Sequence, residues 1–163
     1  TTRESFCMVR ELSFAEIKEI WAKDLWNEKY KIEVFKDGQF QPQEIKPMSC
    51  MVFNNLQRLD ENIFKLYTPL FLGYYNDGIK AVNSGHKTSV LHYRTRGAWC
   101  DMDCRRKGYS HEIMEVLEED AKKQHAEMMW TFSKTSSIPF YESCGFEKTG
   151  QGNDTNWYMY KYV

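Results

Sequence analysis

The chain has 163 residues, with 22 basic against 23 acidic side chains and 15% aromatics. That length supports one domain with a substantial core, read here as a single domain over residues 1–163. The near-neutral charge excludes a general nucleic-acid binder and a charged disordered chain, and no apolar run reaches the length of a membrane span.

The opening residues carry no secretory-leader pattern. Cys7, Cys50, Cys100, Cys104 and Cys144 are scattered and form no C-x-x-C pair. They read as reduced thiols of a cytoplasmic protein, with no disulfide framework and no metal site.

In chain order, residues 6–12 read as a first strand. Ser13 caps a helix, and Glu16 three residues on completes a capping box. Phe14, Ile17, Trp21 and Leu25 recur at helical spacing and mark its buried face, with the helix running to about Trp26. Residues 27–60 are broken by Asp37-Gly38, Pro42 and Pro47, with a short helix expected over 49–59. The role of this stretch, substrate cover or embellishment, stays open. Residues 70–75 and 79–85 form strands joined by the turn Asn76-Asp77-Gly78, whose residues tolerate the positive φ that tight hairpins need. A loop over 86–91 precedes a strand over 93–102, in which Gly97 marks a bulge or a close backbone approach.

A basic turn, Arg105-Arg106-Lys107-Gly108-Tyr109-Ser110, opens the next helix, which runs to about His125. Ile113, Met114, Leu117 and Ala121 form its apolar stripe, and Glu118–Lys122 and Glu119–Lys123 are spaced for ion pairs on its wet face. A glycine-bearing turn at a helix start can hold phosphate, because the first amides have no partner within the helix and carry partial positive charge. Residues 128–132 form a buried strand. Ser136 caps a short helix that tolerates Pro139 in its first turn, and Gly145 ends it. Residues 146–149 and 156–162 close the chain as a strand pair around Gly150-Gln151-Gly152-Asn153. The order βα(α)βββαβαββ is that of a mixed α/β sheet domain.

Two motifs in this order, Arg105-x-x-Gly108-x-Ser110 and Tyr141-x-x-x-Gly145-Phe146, resemble those of the GNAT superfamily of acyl-CoA-dependent N-acetyltransferases. Ser110 stands where the family has Gly or Ala, Lys134 where Asn is usual, Ser137 where Ala is usual and Met102 where Pro is usual. Val82-Asn83-Ser84-Gly85-His86 and Tyr93-Arg94-x-Arg96-Gly97 are similar to a subgroup of small members from phages and marine environments. The resemblance implies an α/β (α+β) fold with a mixed, mostly antiparallel central sheet of about six or seven strands flanked by about four helices. It implies transfer of the acetyl group of acetyl-CoA to a primary amine of a small molecule or peptide, by direct attack in a ternary complex. A non-catalytic acyl-CoA-binding or interaction module on the same fold is the alternative. No nucleic-acid or membrane partner is expected, and the chain is a monomer or a homodimer.

The resemblance assigns roles to the cofactor residues and to Tyr141, and the residues themselves suggest a base and an acceptor clamp. Cys100 occupies the position whose backbone N–H faces the thioester, where it can stabilise an oxyanion. Met102, Arg105, Arg106, Lys107, Gly108, Tyr109 and Ser110 flank the pyrophosphate, with Lys134 and Ser137 on the facing segment. Tyr141 is the general acid, because a phenol with a pKa of about 10 is protonated at neutral pH and able to donate to a leaving thiolate. Asp101 is the favoured general base among Asp101, Asp103, His86 and His92. Arg94 and Arg96 fall on one face of their strand and either clamp an acceptor's carboxylate or phosphate or form ion pairs that stabilise the sheet.

Overall fold

The computed structural model describes residues 8–25, 31–44, 69–152 and 154–163. Strand β1 (Val9–Glu11) leads into helix α1 (Phe14–Ile20), whose last turn widens into a π-type turn at Trp21–Leu25. The Ser13–Glu16 capping box is present: the Glu16 amide donates to Ser13 Oγ at 3.2 Å, and the Ser13 amide donates to Glu16 Oε1 at 2.9 Å. Ile17 and Trp21 are fully buried, while Phe14 and Leu25 pack at the edge of their cluster.

Residues 31–44 are not irregular. Strands β2 (Lys31–Lys36) and β3 (Gln39–Glu44) pair as a separate antiparallel hairpin across the Asp37-Gly38 turn. Asp37 and Gly38 do break the strand, and they do so by reversing it. The expected helix over 49–59 lies outside the described residues, as do Phe6, Cys7, Trp26, Cys50 and Asn153.

Strands β4 (Leu70–Tyr75) and β5 (Ile79–Lys87) form the predicted hairpin, with Asp77 and Gly78 at positive φ. β5 runs two residues past the expected end and takes in His86. Strand β6 (His92–Cys100) is followed by a 3-10 turn at Met102–Cys104, which shortens the predicted strand. Helix α2 (Tyr109–Lys123), strand β7 (Met128–Lys134), a 3-10 turn at Thr135–Ser137, helix α3 (Ile138–Ser143), and strands β8 (Glu147–Gln151) and β9 (Asn156–Tyr162) complete the chain. The 3-10 turn moves the start of α3, so Ser137 rather than Ser136 flanks it, and no side-chain cap forms.

The main sheet has seven strands in the order β1-β4-β5-β6-β7-β9-β8. Every pairing is antiparallel except β6 with β7. Each face carries its own core. Ile113, Leu117 and Ala121 of α2 and Tyr141 of α3 pack with Tyr93, Met129 and Met159 on one side. Ile17 and Trp21 pack with Leu12, Phe71 and Val82 on the other. Two expected ion pairs are rearranged. Glu118 leaves Lys122 for Lys161 on β9 at 3.0 Å, and Lys122 sits 3.9 Å from Glu119. Tertiary packing brings Lys161 to the helix, and the sequence pattern of α2 alone does not contain that partner.

Candidate active site

β6 and β7 pair only over His92–Arg94 and Met128–Trp130. Past that point β6 continues against β5 and β7 continues against β9, so the two strands part. The β6 bulge explains the divergence. Gly97 has φ +85°, the β5–β6 register shifts between Val82 and Ser84, and a bulge bends and twists its strand. Trp21 holds the bulge by donating from Nε1 to the Gly97 carbonyl at 2.9 Å. Thr131 Oγ1 donates to the Thr95 carbonyl at 2.9 Å, close to where the strands part.

The opening holds two cavities that merge. One, of about 600 Å³, lies between α2 and α3 and is lined by Arg106, Gly108, Ser110, His111 and Phe140. The other, of about 520 Å³, lies on the α1 side and is lined by Asp24, Arg94, Arg96, Ser133, Lys134 and Asn156. Ala98, Trp99, Cys100, Arg105, Ser136, Ser137 and Tyr141 border both. The two are therefore halves of one cleft, and Tyr141 stands at their join.

The first half ends at an anion-ready helix start. Gly108 is the residue before α2, at φ 82°, and no side chain caps the helix. A Cβ at Gly108 meets nothing within 4 Å, so glycine is needed there for its φ and the space before the helix is open. Arg106 also adopts a left-handed φ of 68°, an unusual conformation for a residue with a side chain. Tyr109 faces elsewhere. It is buried, stacks on Tyr74 with ring centres 3.9 Å apart, and accepts a hydrogen bond from Asn76 Nδ2 at 2.8 Å. Its part is to pin α2 to the β4–β5 turn. Lys107 and the largely exposed Met102 also lie outside both halves of the cleft.

Tyr141 is buried, with its ring edge-on to Phe140 and Phe146. Gly145 ends α3 in a Schellman motif: the Phe146 amide donates to the Tyr141 carbonyl and the Gly145 amide to the Glu142 carbonyl, each at 3.0 Å. The motif fixes the backbone at Tyr141. Burial pushes the Tyr141 phenol above its ordinary range, against the opposing pull of the Thr131 hydroxyl and the Arg94 charge. The phenol is thus protonated throughout the neutral range. Burial likewise raises the Cys100 thiol, so Cys100 is not a thiolate nucleophile.

Arg94 is only 3% exposed, and its guanidinium carbon lies 4.6 Å from the centre of the Trp130 ring. Burial, followed by the neighbouring charge of Arg96, pushes its pKa down to about 9. It remains a cation at neutral pH, held at an electrostatic cost.

The expected bases sit elsewhere. The Asp101 carboxylate accepts from the Asp103 amide at 3.0 Å and caps the 3-10 turn, while Asp103 is exposed. His86 is fully buried, with Nδ1 3.1 Å from the Lys87 carbonyl. His92 lines a separate surface hollow of about 450 Å³ with Trp130 and Tyr158. None of the four borders the cleft. Among the described residues, the carboxylate that does is Asp24, delivered by the π-type turn after α1. Sequence reading missed Asp24, because a helix of ordinary pitch gives no sign of a widened turn. It missed Trp99 and Ser136 too, although Trp99 adjoins Cys100 and Ser136 adjoins Ser137.

The family model for the acetyltransferase (GNAT) domain matches residues 74–160, more than half of the chain. The chain belongs to the GNAT acetyltransferase family. Its fold is that of solved GNAT structures. An aminoglycoside 6'-N-acetyltransferase complexed with coenzyme A superposes with a TM-score of 0.65 at 10% identity, over 94% of this chain and 96% of that one. A GNAT acetyltransferase from Staphylococcus aureus Mu50 gives 0.63 at 16% identity, over 94% and 97%. Ard1 from Thermoplasma volcanium gives 0.62 at 16% identity, over 95% and 96%. No curated protein sequence matches the chain. At these identities the structural likeness speaks for the GNAT fold alone.

Proposed function

We propose that this GNAT protein transfers the acetyl group of acetyl-CoA to a primary amine, with both substrates bound together. The observation that carries the reading is the single cleft joining the uncapped start of α2 at Gly108 to the buried Tyr141 phenol. The residues present suit a diphosphate-bearing thioester. Backbone amides at the start of α2, with Arg105, Arg106 and Ser110, hold the diphosphate. Cys100, Ser136 and Ser137 border the path from there to Tyr141, with Lys134 at its acceptor end. Acetyl-CoA supplies an activated acyl carbon and a good leaving group.

The acceptor occupies the half lined by Arg94, Arg96 and Asp24. The Cys100 main chain polarises the acetyl carbonyl as the amine nitrogen bonds to the acyl carbon. Tyr141 gives its proton to the departing sulfur as the carbon–sulfur bond breaks. The tyrosinate is neutralised by the proton the amine has lost, and no atom passes through a covalent enzyme intermediate. Because both halves of the cleft meet at Tyr141, acceptor and donor reach the acid together.

The test is Tyr141→Phe. Loss of a positioned acid lowers kcat by on the order of a hundredfold, with CoA affinity by calorimetry little changed. Equal turnover in the variant removes Tyr141 from the mechanism. CoA binding without release of free thiol across a broad amine panel identifies a binding module in place of an enzyme.

A further inference from the structure

Strand β7 brings a buried hydroxyl to the acid. Thr131 lies in the middle of the strand and is only 2% exposed. Valine has nearly the same shape, suits a strand equally well and would need no hydrogen-bond partner there. Met129, Thr131 and Ser133 alternate onto one face of β7, and Met129 packs in the same core as Tyr141. Thr131 and Tyr141 both line the half of the cleft that Asp24 borders.

A threonine hydroxyl has one proton to give and two lone pairs to receive with. With Tyr141 protonated, Thr131 Oγ1 gives its proton to the Thr95 carbonyl at 2.9 Å. The last β6–β7 pair is Arg94 with Trp130, so this bond links the two strands one residue past their final pairing. The Thr95 hydroxyl is occupied in turn, donating to Asn83 Oδ1 at 3.2 Å. Once Tyr141 has lost its proton, its oxygen is a charged acceptor that competes with the neutral carbonyl for the same hydroxyl. A hydrogen bond to a charged acceptor is roughly twice as strong as one between neutral groups. Turning the O–H about the Cβ–Oγ1 bond moves the hydrogen bond from carbonyl to tyrosinate. The direction agrees at Tyr141 itself: burial raises its pKa, and the foremost opposing influence is the Thr131 hydroxyl.

Resting on the acetyltransferase reading above, we propose that Thr131 is the positioning residue of the acid, its hydroxyl turning from the Thr95 carbonyl to the Tyr141 oxygen as the phenol proton leaves for sulfur. Thr131 keeps its own proton throughout. Its hydroxyl therefore matters to the rate only while residue 141 can ionise.

The experiment is a double-mutant cycle on thiol release from acetyl-CoA, with an amine that the wild type turns over. Thr131→Val lowers kcat about tenfold, the scale of one hydrogen bond to a charged group, and leaves KM for acetyl-CoA within about twofold. Thr131→Ser, which keeps the hydroxyl, recovers most of that loss. In a Tyr141→Phe background Thr131→Val costs nothing further, because no tyrosinate forms. A thermal melt and CoA calorimetry check the fold of each variant. Thr131→Cys, close in size and a weak donor, replaces Thr131→Val if the latter does not fold, and the same loss is expected of it. A loss that persists in the Tyr141→Phe background, an equal loss in Thr131→Ser, or full activity in Thr131→Val overturns the proposal and leaves the acetyltransferase reading standing. A wild type that binds CoA and releases no thiol with any amine overturns that reading, and the proposal with it.

Discussion

Arg94 shows how a single residue separates stability from function. Its charge is desolvated, and the nearby Trp130 face offsets part of that cost, since a cation–π contact contributes about 0.5–2 kcal/mol. Arg94→Met is expected to raise KM for the acceptor while leaving the thermal midpoint within a few degrees, with calorimetry and kinetics on one preparation as the check. A fall of several degrees in that midpoint would show that Arg94 stabilises the sheet. Tyr141 and Arg94 were both visible in the sequence, one through a motif and the other through strand parity. Asp101 caps a turn, since an aspartate two residues before a backbone amide is as apt to cap a turn as to face a ligand. Which of the two occurs depends on where the strand stops, and composition does not encode that.

The β6 bulge and the widened turn after α1 act as one device. Gly97 lies at φ +85°, and a Cβ there would lie 2.5 Å from the Trp21 ring. Gly97→Ala combines a left-handed strain of about 1–2 kcal/mol with overpacking of about 1–3 kcal/mol. At about 2–4 °C per kcal/mol for a chain of this size, the midpoint drops by several degrees in a thermal melt. Activity falls further than the stability loss accounts for, because the Asp24 turn loses its anchor. A melt unchanged within a degree would mean that Trp21 is free to move aside. Elements fixed by local chemistry were legible here. The Ser13–Glu16 box, the Asn76-Asp77-Gly78 turn and the Gly97 irregularity all stand where the sequence put them. Elements set by distant partners were not. The β2–β3 hairpin needs a pairing register that Pro42 obscures, and the Glu118–Lys161 pair spans α2 and β9.

At the scale of the molecule, the sheet is divided where β6 and β7 part, and the cleft occupies the division. A ligand bridging α2, β6 and α3 holds together segments that are far apart in the chain. CoA at a hundredfold its dissociation constant is expected to add about 2.7 kcal/mol, a rise of roughly 5–10 °C in the melt. Arg105→Ala/Arg106→Ala loses most of that rise at the same CoA concentration. No shift with millimolar CoA would mean that the start of α2 is not a cofactor seat. The strand–helix order and the two motifs were enough to anticipate the family and most of this architecture. The acceptor half was legible only in part: strand parity picked out Arg94 and Arg96, whereas Asp24 at the end of α1 and the end of β7 are brought to them only by the folded chain.

Trp99 borders both halves of the cleft beside Cys100. Filling either half strips water from one side of an indole whose emission depends on the polarity around it. The protein thus carries a native optical reporter at the join, and the order in which donor and acceptor arrive can be followed by fluorescence without labelling either one.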